Sequence, residues 1–331
     1  MKLGDRIELN LTDLSYFGDG VGHVDTNLVV FAVAGLPGER VVLEIDERRH
    51  KYVRGIVCEI IVRASDRVDP PCPYYGTCGG CQFQHLDYPS QLRWKTEMIR
   101  RQLRRVGHLR SPEVQSCIGS VNPWRYRNNA RFSVDSGGRI GFTRPRSHAF
   151  VATDDCLIMQ PEISAVMPRL QGELPGAHQI VVRYGARTGQ FLIAPRLAES
   201  TTDLLSGQES YEEMMLGRRF RVSATSFFQV NTRPDLRAIP AGVDVDRLSI
   251  GAGSPQDGAD RGADTLVELS QADLLTLLVR SKLQLTGREF VVDAYSGVGT
   301  FAVTIADGAD RVVGIEGAKS AVLDAEHNSR G

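Results

Sequence analysis

The sequence predicts a multidomain α/β protein: an N-terminal OB-like β-barrel, a central α+β domain around a cysteine-rich loop, and a Rossmann-like domain opening near the C-terminus. Three observations carry this. Five short Val- and Ile-rich runs crowd into the first 62 residues. A Pro- and Gly-rich stretch then carries Cys72, Cys78 and Cys81. Finally, an apolar run enters the turn Ser296-Gly297-Val298-Gly299 ahead of a helical segment.

In chain order, candidate strands are Asp5–Leu14, Gly22–Val24, Asn27–Ala34, Arg40–Asp46 and Tyr52–Val62, separated by Gly18-Asp19-Gly20 and Gly35-Leu36-Pro37-Gly38. Five strands in about 60 residues suit a small closed barrel, set at 1–64. Asp66–Phe83 keeps no regular periodicity and needs something other than a core to order it. Pro89 opens a helix to Val106 with Leu92, Ile99, Leu103 and Val106 on one face and Gly107 as its stop. That helix, 89–107, is expected to pack on the C-terminal domain. Asn129–Asp135, Arg139–Thr143, Gln179–Tyr184, Gln190–Ala194 and Arg218–Thr225 read as strands of the central domain, 65–226. In 227–331, Gly251–Asp264 is a polar, Gly-rich insertion and Thr265–Leu285 has helical leucine spacing. A strand–turn–helix–strand–helix unit follows: Glu289–Ala294, Thr300–Ala306, Arg311–Ile315 and Ala318–Asn328.

Composition narrows the class. The 331 residues are 42% hydrophobic and 24% charged, near the globular average of about 45–50% and 25%, which excludes a disordered or fibrous chain. No run of about 18 apolar residues predicts a membrane span, and the polar start Met1–Arg6 lacks a secretory signal's apolar core; a cytoplasmic monomer is expected. The 39 Lys+Arg and 40 Asp+Glu nearly cancel, but unevenly. Residues 91–147 hold 13 bases and three acids, whereas 251–331 hold seven bases and 12 acids. Such asymmetry suggests one surface for a polyanion; a solvated basic helix is the plainer account.

Three constellations bear chemistry. Cys72-(x5)-Cys78-(x2)-Cys81 can converge on one point, and Cys156 can close a tetrahedral thiolate set for a [4Fe–4S] cluster or for zinc. A single CxxC behind a wide gap, with a remote fourth ligand, leans toward the cluster. The run Asp293-Ala-Tyr295-Ser-Gly297-Val-Gly299-Thr300 lets backbone approach a ligand at Gly297 and Gly299, with Glu316 ending the next strand where it can bind ribose hydroxyls. Because Gly297-x-Gly299-x-x-Ala302 also satisfies the dinucleotide fingerprint, a nicotinamide-dependent oxidoreductase competes. Asp293, placed to steer a cationic or amino-acid moiety, favours S-adenosylmethionine. Ala224–Asn231 pairs adjacent aromatics with two amides, which could receive a base or cap a core.

With these three together, the sequence resembles the S-adenosylmethionine-dependent RNA uracil-C5 methyltransferases, most closely the 23S ribosomal RNA branch with its TRAM domain and [4Fe–4S] cluster. The resemblance spans essentially the whole chain: NLVVFAVAGLPGE (27–39) for TRAM, PCPYYGTCGGCQFQHL (71–86) and Asp155-Cys156 for the cluster, SFFQVN (226–231) and DAYSGVGTF (293–301) for the donor site. It implies donor contacts at Gln229, Tyr295, Thr300 and Glu316, with Thr300 at a variable motif position. It also implies a single-stranded or loop uridine as substrate and a cysteine thiolate that adds to uracil C6, so that C5 attacks the donor methyl before a base removes the C5 proton and the cysteine is eliminated.

One departure stands out. In the family the nucleophilic cysteine and the proton-abstracting carboxylate lie well downstream of the second Rossmann strand, whereas here Gly331 follows one helix after Glu316. Neither Cys58 nor Cys117 takes a nucleophile's place. The expectation is a truncated chain that does not methylate by itself, with a non-enzymatic RNA-binding iron–sulfur protein as the alternative.

Overall fold

A computed structural model of the chain describes residues 1–24, 28–198, 204–240, 243 and 266–330. The expected insertion Gly251–Asp264 lies outside the described residues. By internal contacts the chain divides into two units, Met1–Gly119 with Thr143–Val151, and Ser120–Phe142 with Ala152–Gly331.

The first unit begins with β1 (Arg6–Leu14), β2 (Gly20–Val24), β3 (Leu28–Val33), β4 (Arg40–Arg48) and β5 (Tyr52–Val62), close to the expected runs. They close in the order β1-β2-β3-β5-β4, β4 returning to β1 from Arg6↔Glu44 to Asn10↔Arg40. Closure leaves no open edge. Alternate inward side chains, among them Leu9, Leu11, Val30, Val41, Leu43 and Val53, fill the interior.

Chain leaving the barrel is bolted back by a buried ion pair. Arg67 donates from Nε to Glu39 Oε1 (2.6 Å) and from Nη2 to Glu39 Oε2 (2.9 Å). The same carboxylate accepts Leu36 N–H (2.9 Å) and Ala64 N–H (3.3 Å). Burial works against the Glu39 charge, but Arg67 and these amides prevail and hold its carboxyl below the usual range.

Next comes α1 (Tyr88–Arg105), capped by Asp87, which accepts Ser90 N–H at 2.7 Å. Its expected apolar face is corrected by the structure. Ile99 is 55% and Val106 68% exposed, while Trp94 and Met98 pack with Phe83 and Ala64 on Leu14, Leu36 and Leu86. The larger Trp94 ring sets the buried stripe, so α1 belongs with the barrel and cysteine loop in the first unit.

After α1 come β6 (Asn129–Val134), β7 (Ile140–Thr143), β8 (Phe150–Ala152), α2 (Pro161–Leu170), β9 (Gln179–Tyr184) and β10 (Phe191–Ala194). The sheet runs β10-β9-β6-β7-β8. Phe132, Ile140, Ile163, Met167, Leu170 and Ile180 form its core with α2. A hairpin of β11 (Ser210–Met215) and β12 (Arg218–Ser223) comes next, then β13 (Asp235–Ala238) paired with β14 (Leu266–Leu269). The helix α3 (Gln271–Leu283) starts later than its leucine spacing predicts. A reciprocal Ser270–Asp273 capping box fixes that start, and the preceding residues are spent on β14. Last come β15 (Phe290–Ala294), α4 (Thr300–Ile305), β16 (Arg311–Ile315) and α5 (Lys319–Asn328), with β15 and β16 parallel from Phe290↔Arg311 to Ala294↔Ile315. No described helix is long and apolar enough to cross a membrane.

Each of the two units has a shared core. Leu86 and α1 complete a core with barrel residues, and Phe220 and Phe228 share one with Val298, Val303 and Ala321.

Glu39→Gln strands the Arg67 guanidinium in a buried site and is expected to cost about 3–5 kcal/mol, read from urea unfolding followed by tryptophan emission. A carboxyl held low in the folded state contributes stability above its ordinary value of 4.5 and loses it as pH falls. The variant's acid limb is therefore expected to be flatter than that of the native chain.

Candidate functional site

β15 and β16 end side by side, and the chain after β15 turns sharply. Tyr295, Gly297 and Gly299 take φ of 65°, 56° and 84°, a left-handed conformation that glycine adopts freely and tyrosine adopts at a cost. Ser296 N–H donates to Ile315 O (3.0 Å) and Gly299 N–H to Ser296 O (2.9 Å). Ser296 is nearly buried, and a Cβ at Gly314 would stand 2.8 Å from its Oγ, so β16 needs glycine there.

Glu316 clamps this turn. Its Oε2 accepts Gly297 N–H at 2.9 Å, and its Oε1 accepts Gly317 N–H at 2.7 Å and Ala318 N–H at 2.8 Å. Those amides, Ala318's foremost, hold its carboxyl below the ordinary range. Asp293 accepts Ala302 N–H at 3.0 Å, while burial pushes its carboxyl up.

The SFFQVN segment reaches the turn through Phe228, which is buried with Val298 and Val303. The atom nearest a Cβ built on Gly297 is the Phe227 carbonyl oxygen, at 3.9 Å. Behind this segment, Asp324 on α5 accepts Ser223 N–H (2.8 Å), Ser223 Oγ–H (2.8 Å) and Ser226 Oγ–H (2.6 Å). One turn on, Asn328 accepts Arg221 N–H (2.7 Å) and donates to Arg221 O (3.1 Å) and Val298 O (2.9 Å). Arg183 donates to Ser226 O at 2.6 Å. The Gln229 carbonyl accepts from Asn128 Nδ2 (3.5 Å), which also bonds buried Glu213 (3.1 Å) and Thr232 Oγ1 (2.9 Å).

A cavity of about 600 Å³ opens beside the turn, lined by Ser296, Gly299, Ala302, Gly314, Glu316 and Ala325 among others. That is within the range of small-molecule sites. Of the residues expected at the donor site, Gly299 and Glu316 line it. Tyr295 is 93% exposed, Thr300 is buried at the start of α4, and Gln229 is half-buried on the neighbouring segment. Sequence reasoning missed Asp324 and Asn328. Their signal was there: two polar residues four apart on the Ala321 face of α5, a spacing that puts both on one stripe.

None of the six cysteines forms a disulfide. Gly80 N–H points at Cys78 Sγ (3.4 Å), an arrangement suited to a thiolate. Asp155 fixes the Cys156 backbone by accepting its N–H at 2.7 Å, and Arg125 grips Asp155 with two nitrogens, at 2.9 and 2.8 Å. The guanidinium brings the Asp155 carboxyl down to about 2. The donor chemistry of Cys72, Cys78, Cys81 and Cys156 suits a thiolate-bound centre. Among the described residues no group of three or more His, Cys, Asp or Glu side chains is gathered as a metal site.

The comparisons with known proteins agree with this geometry. Residues 2–58 match the TRAM domain family. An uncharacterized RNA methyltransferase of Halalkalibacterium halodurans is 30% identical over 98% of this chain and 75% of its own length. Another, of Caldanaerobacter subterraneus, is 28% identical over 100% of this chain and 76% of its own. The fold is shared with the crystal structure of the Pyrococcus abyssi tRNA (uracil-54, C5)-methyltransferase in complex with S-adenosyl-L-homocysteine, at a TM-score of 0.64 and 20% identity, over 98% of this chain and 76% of that one.

Asp324→Ala leaves the Ser223 amide and the Ser226 hydroxyl buried without an acceptor. Stability is expected to fall by about 3 kcal/mol. Hydrogen exchange should accelerate in α5, at Ser223 and across Phe227–Gln229, with the barrel amides unchanged.

Proposed function

Because the chain belongs to the RNA methyltransferase family, we propose that its β15–turn–α4–β16 unit binds S-adenosylmethionine and serves methylation of uracil C5 in RNA. The observation that carries this is the Glu316 clamp: an ionised carboxylate at the end of the second strand, tied to a glycine turn beside a nucleoside-sized cavity. Glu316 keeps lone pairs for the ribose hydroxyls while it holds Gly297. Gly297 and Gly299 admit the ligand close to backbone. Asp293 would take the donor's cationic end, Tyr295 would offer its exposed ring and Gln229 an amide from the SFFQVN segment, while Thr300 sets the start of α4.

For the RNA we infer a single-stranded or loop uridine, ribosomal by the pairing of a TRAM barrel with the cysteine loop. The Pyrococcus abyssi neighbour acts on transfer RNA, so both substrates belong in the assay. Cys58 stands on barrel strand β5 and Cys117 donates its amide to Thr96 Oγ1, and neither has the position of the family's nucleophile.

For Cys72, Cys78, Cys81 and Cys156 we propose ligation of a [4Fe–4S] cluster. Their spacing, the amide on Cys78 Sγ and the fixed Cys156 backbone support it. No step of the methyl transfer is assigned to it; its role is to order a loop poor in apolar residues.

Calorimetry is expected to show S-adenosylhomocysteine binding and no NADH binding, with Glu316→Ala weakening the former by about tenfold to a hundredfold. The opposite ligand preference would make the chain an oxidoreductase. Binding of RNA with neither donor nor product would make it a non-enzymatic RNA-binding protein.

Anaerobic purification should yield a brown protein with broad visible absorbance, lost in Cys78→Ser. A colourless protein with stoichiometric zinc would overturn the cluster.

A further inference from the structure

Two aromatic side chains stand in solvent at the turn between β1 and β2. Tyr16 is 72% and Phe17 64% exposed, and their rings meet edge to face with centroids 5.4 Å apart. Loose chain does not explain this exposure. Ser15 N–H donates to Asp19 O (2.8 Å), Gly18 N–H to Ser15 O (3.0 Å) and Asp19 N–H to Ser15 Oγ (3.0 Å). Gly18 sits at φ 83°, where an added Cβ would lie 2.5 Å from the Gln82 carbonyl oxygen. The turn is thus seated on the cysteine loop, and Leu14 just before it is buried. A preordered turn holds two large rings outside the core, although such exposure is unfavourable in water.

Arginines border the rings. The hairpin after β7 exposes Arg144, Arg146 and His148. Arg146 donates to Asp19 Oδ2 at 2.7 Å and sets its guanidinium 5.8 Å from the Phe17 centroid, which fixes the hairpin beside the rings. Gly79 N–H pins the same hairpin through Thr143 O at 2.8 Å. Asp19 is engaged by Arg146, and among the described residues Arg144 and His148 have no carboxylate in an ion pair. Exposed π-faces beside an arginine without a carboxylate partner are what single-stranded nucleic acid binds: bases stack and phosphates take the charge. A duplex keeps its bases stacked on one another and offers no face to these rings.

We infer that Tyr16 and Phe17 receive an unpaired base of a single-stranded RNA, with Arg144 on its phosphates. This rests on the RNA-substrate reading above and adds where, and in what form, the RNA is held. The same surface explains why the basic window reaches residues 144–146, away from α1.

The test is fluorescence anisotropy of the whole chain with a labelled, unstructured RNA oligonucleotide and with its duplex. Tyr16→Ala and Phe17→Ala are each expected to weaken single-strand binding by about tenfold or more. Neither should change the salt dependence, the thermal melt or the affinity for S-adenosylhomocysteine. Phe17→Trp should bind as the native chain does, its added emission quenched by the RNA. Arg144→Ala should reduce the slope of log K against log salt by about one. Native RNA affinity in both alanine variants would overturn the inference and leave the RNA-substrate reading standing. A native chain that binds no RNA would overturn both.

Discussion

A strand edge must find partners for its amides, and in β12 those partners are side chains. Arg221 and Ser223 alternate along the strand, so both turn the same backbone edge away from β11, about 6.7 Å apart. Asn328 and Asp324 lie one helical turn apart on α5, about 6 Å along its axis, and meet that edge residue for residue. The helix thereby acts as a third strand without being one. Asp324 extends the bonding to Ser226, and Asn328 to Val298 in the glycine turn. One face of α5 thus aligns the hairpin, the SFFQVN segment and the turn, and α5 and the turn both line the cavity.

The glycine turn shows the same economy from the other side. Glu316 would be an ordinary exposed carboxylate if three backbone amides did not converge on it. Their hydrogen bonds keep it ionised and fix the left-handed turn that Tyr295, Gly297 and Gly299 require. A residue expected to bind ribose is therefore also the residue that shapes the site for it. Glu213 has a comparable place behind Gln229: it is buried, its carboxyl pushed up by desolvation, and bonded by Thr232, Met214, Asn128 and Ala186.

Charge in the basic window is distributed less simply than its net value suggests. Arg100 and Arg101 share Glu97, Arg101 also reaches Asp13, Arg125 grips Asp155, and Arg139 holds Asp135. Much of the positive charge is thus spent on architecture, and exposed pairs of this kind contribute little stability. What remains for a polyanion is local, and Arg144, on the hairpin beside Tyr16 and Phe17, belongs to it.

The sequence by itself determined the barrel, because β-branched runs between Gly turns have few other ways to bury one face. It also determined the strand–turn–helix unit with Gly297, Gly299 and Glu316, because backbone strain and strand ends are written locally. The family was legible for the same reason: its motifs are contiguous. Only the tertiary structure decided that α1 packs through Trp94 and Met98 rather than Ile99 and Val106, since both stripes satisfy helical spacing and the Leu14–Leu36–Leu86 surface selects one. Likewise, residues 266–269 became a strand because β13 offered an edge, against their helical leucine spacing. The partners of Asp324 and Asn328 lie about 100 residues away in sequence. Long-range hydrogen bonds leave no local periodicity, so their role appeared only once the chain had folded.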